Sequence, residues 1–199
     1  MKTFFILLFA LTATFSFSQE KEKYKIGTGV DFDGRIAGYS YNNLGPSIIP
    51  LISFTKKKHQ FSFGPQLFMF KNRFEEKIGL MTKFKYYPNG FNNRFNSYFT
   101  VRMPLTYGFD KNDNWPPYYF AAPQETRASK YYSVVLTPGY GVNMKIKNGF
   151  YINSAFSFGV SYSFVFSEIT NIETQAKRDD FYMNLDFVAN FSFGVGYRF

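Results

Sequence analysis

The sequence contains no cysteine, so it can form no disulfide bond and offers no site for a cysteine-linked lipid. Beyond its first residues it also lacks any run that approaches the ~18 apolar residues of a membrane-spanning helix. Its mean hydropathy is −0.24, and it contains no glycine-rich phosphate-binding loop. Aromatic residues, by contrast, make up 23% of the chain. These features exclude a helical membrane protein and give no sign of a nucleotide-binding site.

Residues 1–18 have the composition of a secretory signal peptide. Lys2 supplies a positive charge, residues 4–11 form a short apolar run, and Ser16 and Ser18 place small residues at the spacing of a cleavage site. The apolar run is too short for a membrane-spanning helix. We therefore expect cleavage after Ser18, which leaves one domain of residues 19–199.

The clearest structural signal lies in residues 181–199, FYMNLDFVANFSFGVGYRF. Every second residue from Phe181 to Phe199 is apolar, whereas the interleaved positions are mostly polar or glycine. Because successive side chains of a strand point to opposite faces, this pattern predicts a long strand with one apolar face and one polar face. An apolar outer face, small and polar inner residues and an aromatic end are typical of a transmembrane β-barrel strand.

The same alternation recurs along the rest of the chain. Four prolines fall inside the predicted strands, and each is expected to mark a bulge or a position outside the membrane, because proline removes a hydrogen-bond donor from the ladder. These prolines are Pro50, Pro65, Pro104 and Pro138. The eight predicted strands cover about residues 24–32, 47–55, 60–70, 77–87, 94–107, 131–146, 150–166 and 181–199.

The connections between these strands alternate in length. Those at residues 56–59, 88–93 and 147–149 are short, and the last two contain Asn-Gly, a strong hairpin signal. The others, at about residues 33–46, 71–76, 108–130 and 167–180, are mostly longer. Tight periplasmic turns and long outer loops have this arrangement. The sequence therefore predicts an all-β protein, an eight-stranded antiparallel up-and-down transmembrane β-barrel in the bacterial outer membrane.

Three segments carry a resemblance to a known family. They are residues 80–90 (LMTKFKYYPNG), residues 97–107 (SYFTVRMPLTY) and residues 193–199 (FGVGYRF). The last resembles the C-terminal signal of bacterial outer-membrane barrels, in which Phe193, Val195, Tyr197 and Phe199 would be read by the assembly machinery. Together the segments resemble the generic small outer-membrane β-barrel family, with the wall design of OmpA- and OmpX-type barrels. That family has many roles, so the resemblance implies a fold and no functional residues.

A soluble calycin-like barrel is the alternative fold. Such a barrel would have an apolar interior and a polar exterior, and it would leave the terminal Phe199 pattern unexplained. The outer-membrane interpretation accounts for both the alternation and the aromatic end.

The sequence gives little support to catalysis or metal binding. An outer-membrane lipid A deacylase or palmitoyltransferase would need a histidine beside its nucleophile, and the one histidine, His59, falls in a predicted periplasmic turn. Residues 110–115 open like a calcium loop, but Trp115 replaces the glycine at the sixth position and the bidentate Glu is missing. We therefore predict no enzyme activity, no catalytic residue, no metal site and no cofactor.

One cluster of charged residues is a candidate site. Lys25, Lys83, Lys85, Lys145 and Arg198 are predicted to point inward near the periplasmic mouth, where no inward carboxylate is expected close enough to neutralise them. This cluster is either a solvated mouth or a site for an anion or an acidic partner. If it is not structural, changing Lys83 and Lys85 to Gln should leave assembly intact.

Three functions remain open. The first is a non-enzymatic barrel that stabilises the envelope and presents its long outer loops, chiefly residues 108–130, to outside partners. The second is a component of an outer-membrane secretion or assembly complex that binds through its basic periplasmic face. The third, disfavoured by the histidine count, is a lipid A-modifying enzyme. Expected partners are outer-membrane lipid or lipopolysaccharide, the barrel assembly machinery and a periplasmic or envelope protein. Nucleic acid is not expected, although the net charge is +9.

Overall fold

The computed structural model describes residues 24–37, 46–69, 76–91, 93–110, 125–171 and 174–199. The predicted signal peptide lies outside these residues. Each described strand is antiparallel to the next, and β1 pairs with β8 to close a barrel. The strands are β1 (Lys25–Ala37), β2 (Ser47–Lys56), β3 (His59–Phe68), β4 (Glu76–Tyr86), β5 (Phe95–Asp110), β6 (Glu125–Lys145), β7 (Phe150–Asn171) and β8 (Lys177–Arg198). The predicted eight-stranded antiparallel barrel is confirmed.

The strands are strongly staggered around the wall. Starting at Lys25 and following the paired residue on each successive strand, one complete circuit returns to β1 at Arg35, ten residues further along. Such a stagger requires strands that tilt relative to the barrel axis. It also means that residues paired directly across neighbouring strands lie at different heights along the barrel axis, so the residues that share one height in the lumen cannot be read from strand pairing alone.

The two faces of the wall are chemically opposite, as the alternation predicts. The outward face carries large apolar side chains, among them Phe61, Phe99, Phe156 and Phe187, the last 81% exposed. Serine, threonine, asparagine and charged residues dominate the buried inward face. This arrangement is the reverse of a soluble barrel and rules out the calycin-like alternative. The described part of the chain contains no helix that is long and apolar enough to cross a bilayer.

Tight turns at one end of the barrel fix the strand register. The turn between β6 and β7 contains Asn148 and Gly149, both with positive φ (49° and 87°), as a two-residue hairpin turn requires. The turn between β2 and β3 is equally short and uses Lys57, with φ of 52°. Lys25 and Arg198 lie at this same end, which we call the lower end. Short turns of this kind are typical of the periplasmic end of outer-membrane barrels.

The strands on one side continue well beyond the predicted upper boundaries. The connection of residues 167–180 was predicted to be a long loop, but β7 continues to Asn171 and β8 begins at Lys177, with Gln175 (φ 56°) in a tight hairpin. That prediction was wrong because the upper residues are polar on both faces, which hides the alternation. β6 likewise begins at Glu125 instead of residue 131. Residues 111–124 of the predicted outer loop lie outside the described residues.

The prolines interrupt the ladders without shifting the register. Between β2 and β3 the pairs Ile48–Leu67 and Ile52–Phe63 share one register, which places Pro50 opposite Pro65 in a gap of the ladder. Of the two expectations for these prolines, a bulge is not found, and each missing donor is instead absorbed as a local loss of pairing in the ladder. The closest approach is at Gly64, where a Cβ would lie 1.7 Å from the carbonyl oxygen of Pro50.

Pro104 and Pro138 behave in the same way. The β5–β6 ladder skips the positions around Pro104, and the β6–β7 ladder skips those around Pro138, while the register is unchanged on either side. The ladder between β1 and β8 is where the register does shift, between Arg35 and Ala37. No proline occupies that position, so this bulge, near the upper end of β1, has another cause.

Aromatic residues form a belt across the upper part of the outer face. Tyr107, Tyr132, Phe166 and Phe181 follow one another across four strands from β5 to β8, with ring centroids 5.1, 6.0 and 4.9 Å apart. Beyond this belt the outward residues of β6 to β8 become charged, beginning with Lys130 and Glu168. The belt therefore marks the upper membrane interface on this side.

A second group of aromatic residues lies at the lower end. Tyr197 packs its ring edge-on against Phe150 and Phe199, with centroids 4.8 and 4.9 Å away. Further round the wall, Phe99 and Tyr140 are 5.6 Å apart. The two groups enclose the apolar outer surface, as aromatic girdles do in membrane barrels.

Candidate functional site

Two ion pairs cross the lumen from β1. Lys83 on β4 donates to the carboxylate of Asp31, and Arg102 on β5 donates to that of Asp33. All four residues are buried, and Arg102 also donates to the hydroxyl of Ser157 at 3.2 Å. Charges at such depth require paired and hydrogen-bonded partners. The pairs therefore tie opposite sides of the wall together through the lumen.

A third cation, Lys85, joins the same network from a position on β4 two residues nearer the lower end than Lys83. Its Nζ donates to the Oδ1 of Asn153 at 3.1 Å and lies 4.6 Å from the ring centroid of Tyr98. Asn153 in turn donates to Asp31 at 3.4 Å, and Tyr98 donates to Asn153 at 3.3 Å. The polar network thus links β1, β4, β5 and β7.

Side chains fill the lumen above and below this network. Tyr87 and Tyr98 pack against each other at a tilt beneath it, with their ring centroids 5.1 Å apart, and the hydroxyl of Tyr87 donates to Gln60 at 3.0 Å. Apolar residues also enter the interior, where Ile49, Leu51 and Met81 form a buried cluster. A lumen packed in this way is expected of eight strands, which enclose only enough space for their own side chains.

The prediction that no carboxylate neutralises the inward cations was wrong for Lys83. Asp31 and Asp33, two residues apart on β1, are the partners of Lys83 and Arg102. Fifty-two positions separate Asp31 from Lys83 in the sequence, and only the stagger of the strands brings them to one height. Lys83 and Lys85 consequently lie in the sealed interior, away from the mouth.

The other three predicted mouth residues do lie together. Lys25, Lys145 and Arg198 border a cavity of about 260 Å³ at the lower end, which we call the lower cup. The rest of its lining is Phe91, Asn143, Gly149, Tyr151 and Phe199. Strands β1, β6, β7 and β8 position these residues, because each of these strands begins or ends at this height.

Two donors in the lower cup lack a hydrogen-bond acceptor among the described residues. They are the Nε of Arg198 and the Nδ2 of Asn143, both buried atoms. The Arg198 guanidinium lies over the Phe91 ring, 4.1 Å from its centroid, and 5.6 Å from that of Tyr151. These rings hold the cation in place, but neither residue supplies an acceptor to its Nε.

The predicted assembly signal lies at the end of β8, on the outer wall of the barrel. Phe193, Val195 and Phe199 are exposed on the outward face of β8, Phe199 by 70%, and Tyr197 lies between Val195 and Phe199 on that face. The backbone amide of Phe199 donates to the carbonyl of Ile26 on β1 at 3.0 Å. The terminal residue is thus held at the closing seam of the barrel.

No family model matches the sequence, and no curated protein matches it. Among solved structures, the chain is similar to a major outer membrane protein from Thermus thermophilus, with 12% identity and a TM-score of 0.54 over 89% of this chain and 100% of that one. This chain has the fold of an outer-membrane β-barrel. A second similar structure is Neisserial surface protein A, with 12% identity and a TM-score of 0.47 over 88% of this chain and 97% of that one.

The outer surface agrees with this fold. An apolar band between two aromatic groups, around a polar and charged interior, is the surface that an outer-membrane barrel presents to lipid. The protein is therefore an integral protein of the bacterial outer membrane. In such barrels the short turns face the periplasm, so we expect the lower cup on that side and the upper ends of β6 to β8 outside.

The remaining candidate residues of this barrel lie apart from one another. His59 is exposed at the lower end of β3, where its ring stacks near Phe84 and Tyr86 with centroids 5.7 and 5.2 Å away. Within the described ranges, no group of three or more His, Cys, Asp or Glu residues could hold a metal ion. The Asp110–Trp115 segment lies almost wholly outside those ranges.

Proposed function

We propose that the protein is a non-enzymatic outer-membrane barrel that stabilises the envelope and presents its outer extension to partners at the cell surface. The observation that carries this proposal is the closed lumen. Lys83, Arg102 and their two aspartates cross it and are almost fully buried. A lumen held shut by paired charges suits an anchor better than a route for solutes.

The outer extension consists of the parts of β6, β7 and β8 beyond the upper aromatic belt. Its outward residues are polar, and ion pairs join Lys177 to Glu168 and Arg178 to Asp180, the latter at 3.7 Å. About 9–11 residues are enough for a tilted strand to cross the membrane, whereas β7 and β8 each have 22. The additional residues of β7 and β8 support the proposal, because they form a surface outside the membrane on paired strands, which are stiffer than a loop.

An enzymatic role receives no support from the geometry. General-base catalysis needs an imidazole or a carboxylate within hydrogen-bond reach of a nucleophile. His59 instead contacts the rings of Phe84 and Tyr86 on the lipid-facing side. A lipid A-modifying enzyme would also act at the outer leaflet, and His59 is at the opposite end of the wall.

Two linked measurements test the proposal. Reconstituted in planar bilayers, the wild-type barrel should show no steady single-channel conductance, and a steady porin-like conductance would refute the closed lumen. Because the chain has no cysteine, single cysteines introduced at Lys177 and Lys147 label cleanly. In intact cells a membrane-impermeant maleimide should label Lys177→Cys, and Lys147→Cys only after permeabilisation.

A second candidate function is membership of an envelope complex through the lower end. The described residues at that end carry cations from four strands and three turns and no carboxylate side chain, a field that would attract acidic surfaces. In situ crosslinking from Lys147→Cys tests this role, since a stoichiometric periplasmic product would favour the complex. The cations are Lys25, Lys56, Lys57, Lys58, Arg94, Lys145, Lys147 and Arg198.

Other partners belong to the same proposal. We propose that the assembly machinery reads Phe193, Val195, Tyr197 and Phe199, which lie on one outward face next to the seam between β8 and β1. Outer-leaflet lipopolysaccharide would surround the upper belt, where its phosphates could meet Lys130. Deleting Phe199 should slow insertion in a reconstituted assembly assay, and an unchanged rate would remove this residue from the signal.

A further inference from the structure

We propose that the lower cup binds a phosphate group. The cup contains Lys25, Lys145, Arg198 and Asn143, and two buried donor atoms among them, the Nε of Arg198 and the Nδ2 of Asn143, have no acceptor among the described residues. A tetrahedral oxyanion would satisfy all of these groups together. This binding does not depend on whether the barrel acts alone or within a complex.

The unpaired buried polar atoms of the residues that line the cup are all hydrogen-bond donors. Buried polar atoms in folded proteins are almost always hydrogen-bonded, and an unpaired donor costs free energy. Asn143 is 3% exposed, yet its Nδ2 has no acceptor, and the same is true of the Nε of Arg198. An unpaired acceptor, the Oδ1 of Asn96, lies across the β5–β6 ladder from Asn143 but makes no hydrogen bond with it and does not line the cup. Two unmet donors beside Lys25 and Lys145 define a site for an acceptor with several oxygens.

No carboxylate side chain lies among the residues that line the cup. Asp31, Asp33, Glu168 and Asp180 pair with cations in the sealed interior or the outer extension, away from the cup. Arg198 is held instead by the rings of Phe91 and Tyr151, which leaves its N–H edge available. A guanidinium edge with two flanking ammonium groups suits a phosphate, which accepts both bidentate and point-charge contacts.

The size of the cup favours a small anion over a polypeptide. Its volume of about 260 Å³ corresponds to roughly eight or nine waters at ~30 Å³ each. That space takes one phosphate with part of its hydration shell, or a phosphate on a lipid headgroup, but not a folded segment of a partner protein. Free phosphate and headgroup phosphate share this chemistry and differ in their source.

The test is calorimetric titration of inorganic phosphate into the full-length barrel in dodecyl maltoside micelles, which contain no phosphate, at low, constant ionic strength. We expect saturable binding at one site. The double variant Lys25→Gln/Lys145→Gln should weaken it at least tenfold, whereas the matched control Lys58→Gln/Lys147→Gln, which removes two charges of the same end outside the cup, should change it less than twofold. Asn143→Asp, which places a carboxylate inside the cup, should abolish it.

The outcomes separate the sources of phosphate. Phosphate binding of equal affinity in micelles and in phosphatidylglycerol nanodiscs assigns the cup to free phosphate, and binding that is weaker in the nanodiscs assigns it to a lipid headgroup phosphate. No saturable binding in the phosphate-free micelles overturns the proposal, as does equal weakening by the two double variants. Binding of a glutamate-rich peptide without binding of phosphate would also overturn it, in favour of an acidic protein partner. Unchanged thermal unfolding of each variant confirms that the barrel is intact.

Discussion

Lys83 on β4 and Asp31 on β1 form an ion pair across the centre of the lumen, although three seams of the wall separate their strands. Asp31 also accepts from Asn153 on β7, so one carboxylate connects three sides of the barrel. The pair lies in a site from which water is largely excluded, and Lys83 is only 2% exposed. Such a pair contributes little net stability as a whole but is costly to break.

Removing one member of this pair should destabilise the barrel strongly. Asp31→Asn or Lys83→Met alone leaves a buried charge without its partner, which we expect to cost about 3–5 kcal/mol. The double variant removes both charges and should lose much less than the sum of the two. Urea unfolding in lipid vesicles, followed by heat-dependent gel migration, measures all three free energies.

The comparison of the double variant with the two single variants at Asp31 and Lys83 decides this prediction. Additive effects would mean that the ion pair does not act as a unit. Lys83→Gln is therefore no longer expected to leave assembly intact, in contrast to the expectation from sequence. Ser62→Ala, a nearby inward position on β3, serves as the control and should change the free energy of unfolding by less than about 1 kcal/mol.

Gly64 should not tolerate a methyl group. Its Cβ would lie 1.7 Å from the backbone carbonyl oxygen of Pro50, so Gly64→Ala must push β2 and β3 apart. We expect a loss of about 1–3 kcal/mol from this overpacking. Gly34→Ala is the matched control, because no heavy atom lies within 4 Å of its Cβ position. Equal unfolding midpoints for the two variants would contradict the close approach.

Restoring a donor at the gap between β2 and β3 should stabilise the wall. Pro50 and Pro65 face each other there and neither has an N–H group. Within the hydrocarbon core of the membrane, a backbone carbonyl without a hydrogen-bond donor is costly. Pro65→Val restores an N–H group, and the new hydrogen bond should raise the free energy of unfolding by about 0.5–1.5 kcal/mol. Pro88→Ala, in the turn between β4 and β5, should gain less. A lower unfolding midpoint for Pro65→Val would show that the gap is needed for packing.

The ion pair in the outer extension should affect titration but not folding. The hydrogen bond that Lys177 donates, with its charge, lowers the pKa of Glu168 below its ordinary value of 4.5. Lys177→Met should therefore raise this pKa, which a pH titration of the Glu168 carboxyl signal by NMR measures. A lowered pKa gives stability that is lost as pH falls through the folded-state value. Both side chains are exposed, so the melting temperature should stay the same.

The alternation of side chains was enough to predict the fold. All eight strands and the faces of their residues follow from period-2 patterning, because lipid on one side and a polar lumen on the other impose opposite chemistry at neighbouring positions. The pattern failed at residues 167–180, where water lies on both sides. Polar residues such as Lys177 and Arg178 then occupy both faces, and a strand resembles a loop in sequence.

The partners of the inward charges could not be predicted in the same way. Asp31 meets Lys83 only because the circuit around the wall advances by ten residues, and this stagger depends on the register of every hairpin together. The side chains of Lys83, Lys85 and Arg198 do point inward, but their height in the lumen does not follow from alternation. The cup was therefore visible in the sequence as a group of cations, without its unpaired donors or its boundary.

The wall is also much taller on one side than on the other. Strands β2 and β3 have 10 residues each, whereas β7 and β8 have 22. The barrel therefore has a distinct direction in the plane of the membrane. A neighbouring protein that approaches along β7 and β8 meets a sheet that continues above the upper aromatic belt, whereas the described strands β2 and β3 offer no such extension. Contacts between this protein and its neighbours should accordingly have a preferred azimuth, even though the membrane around it is isotropic.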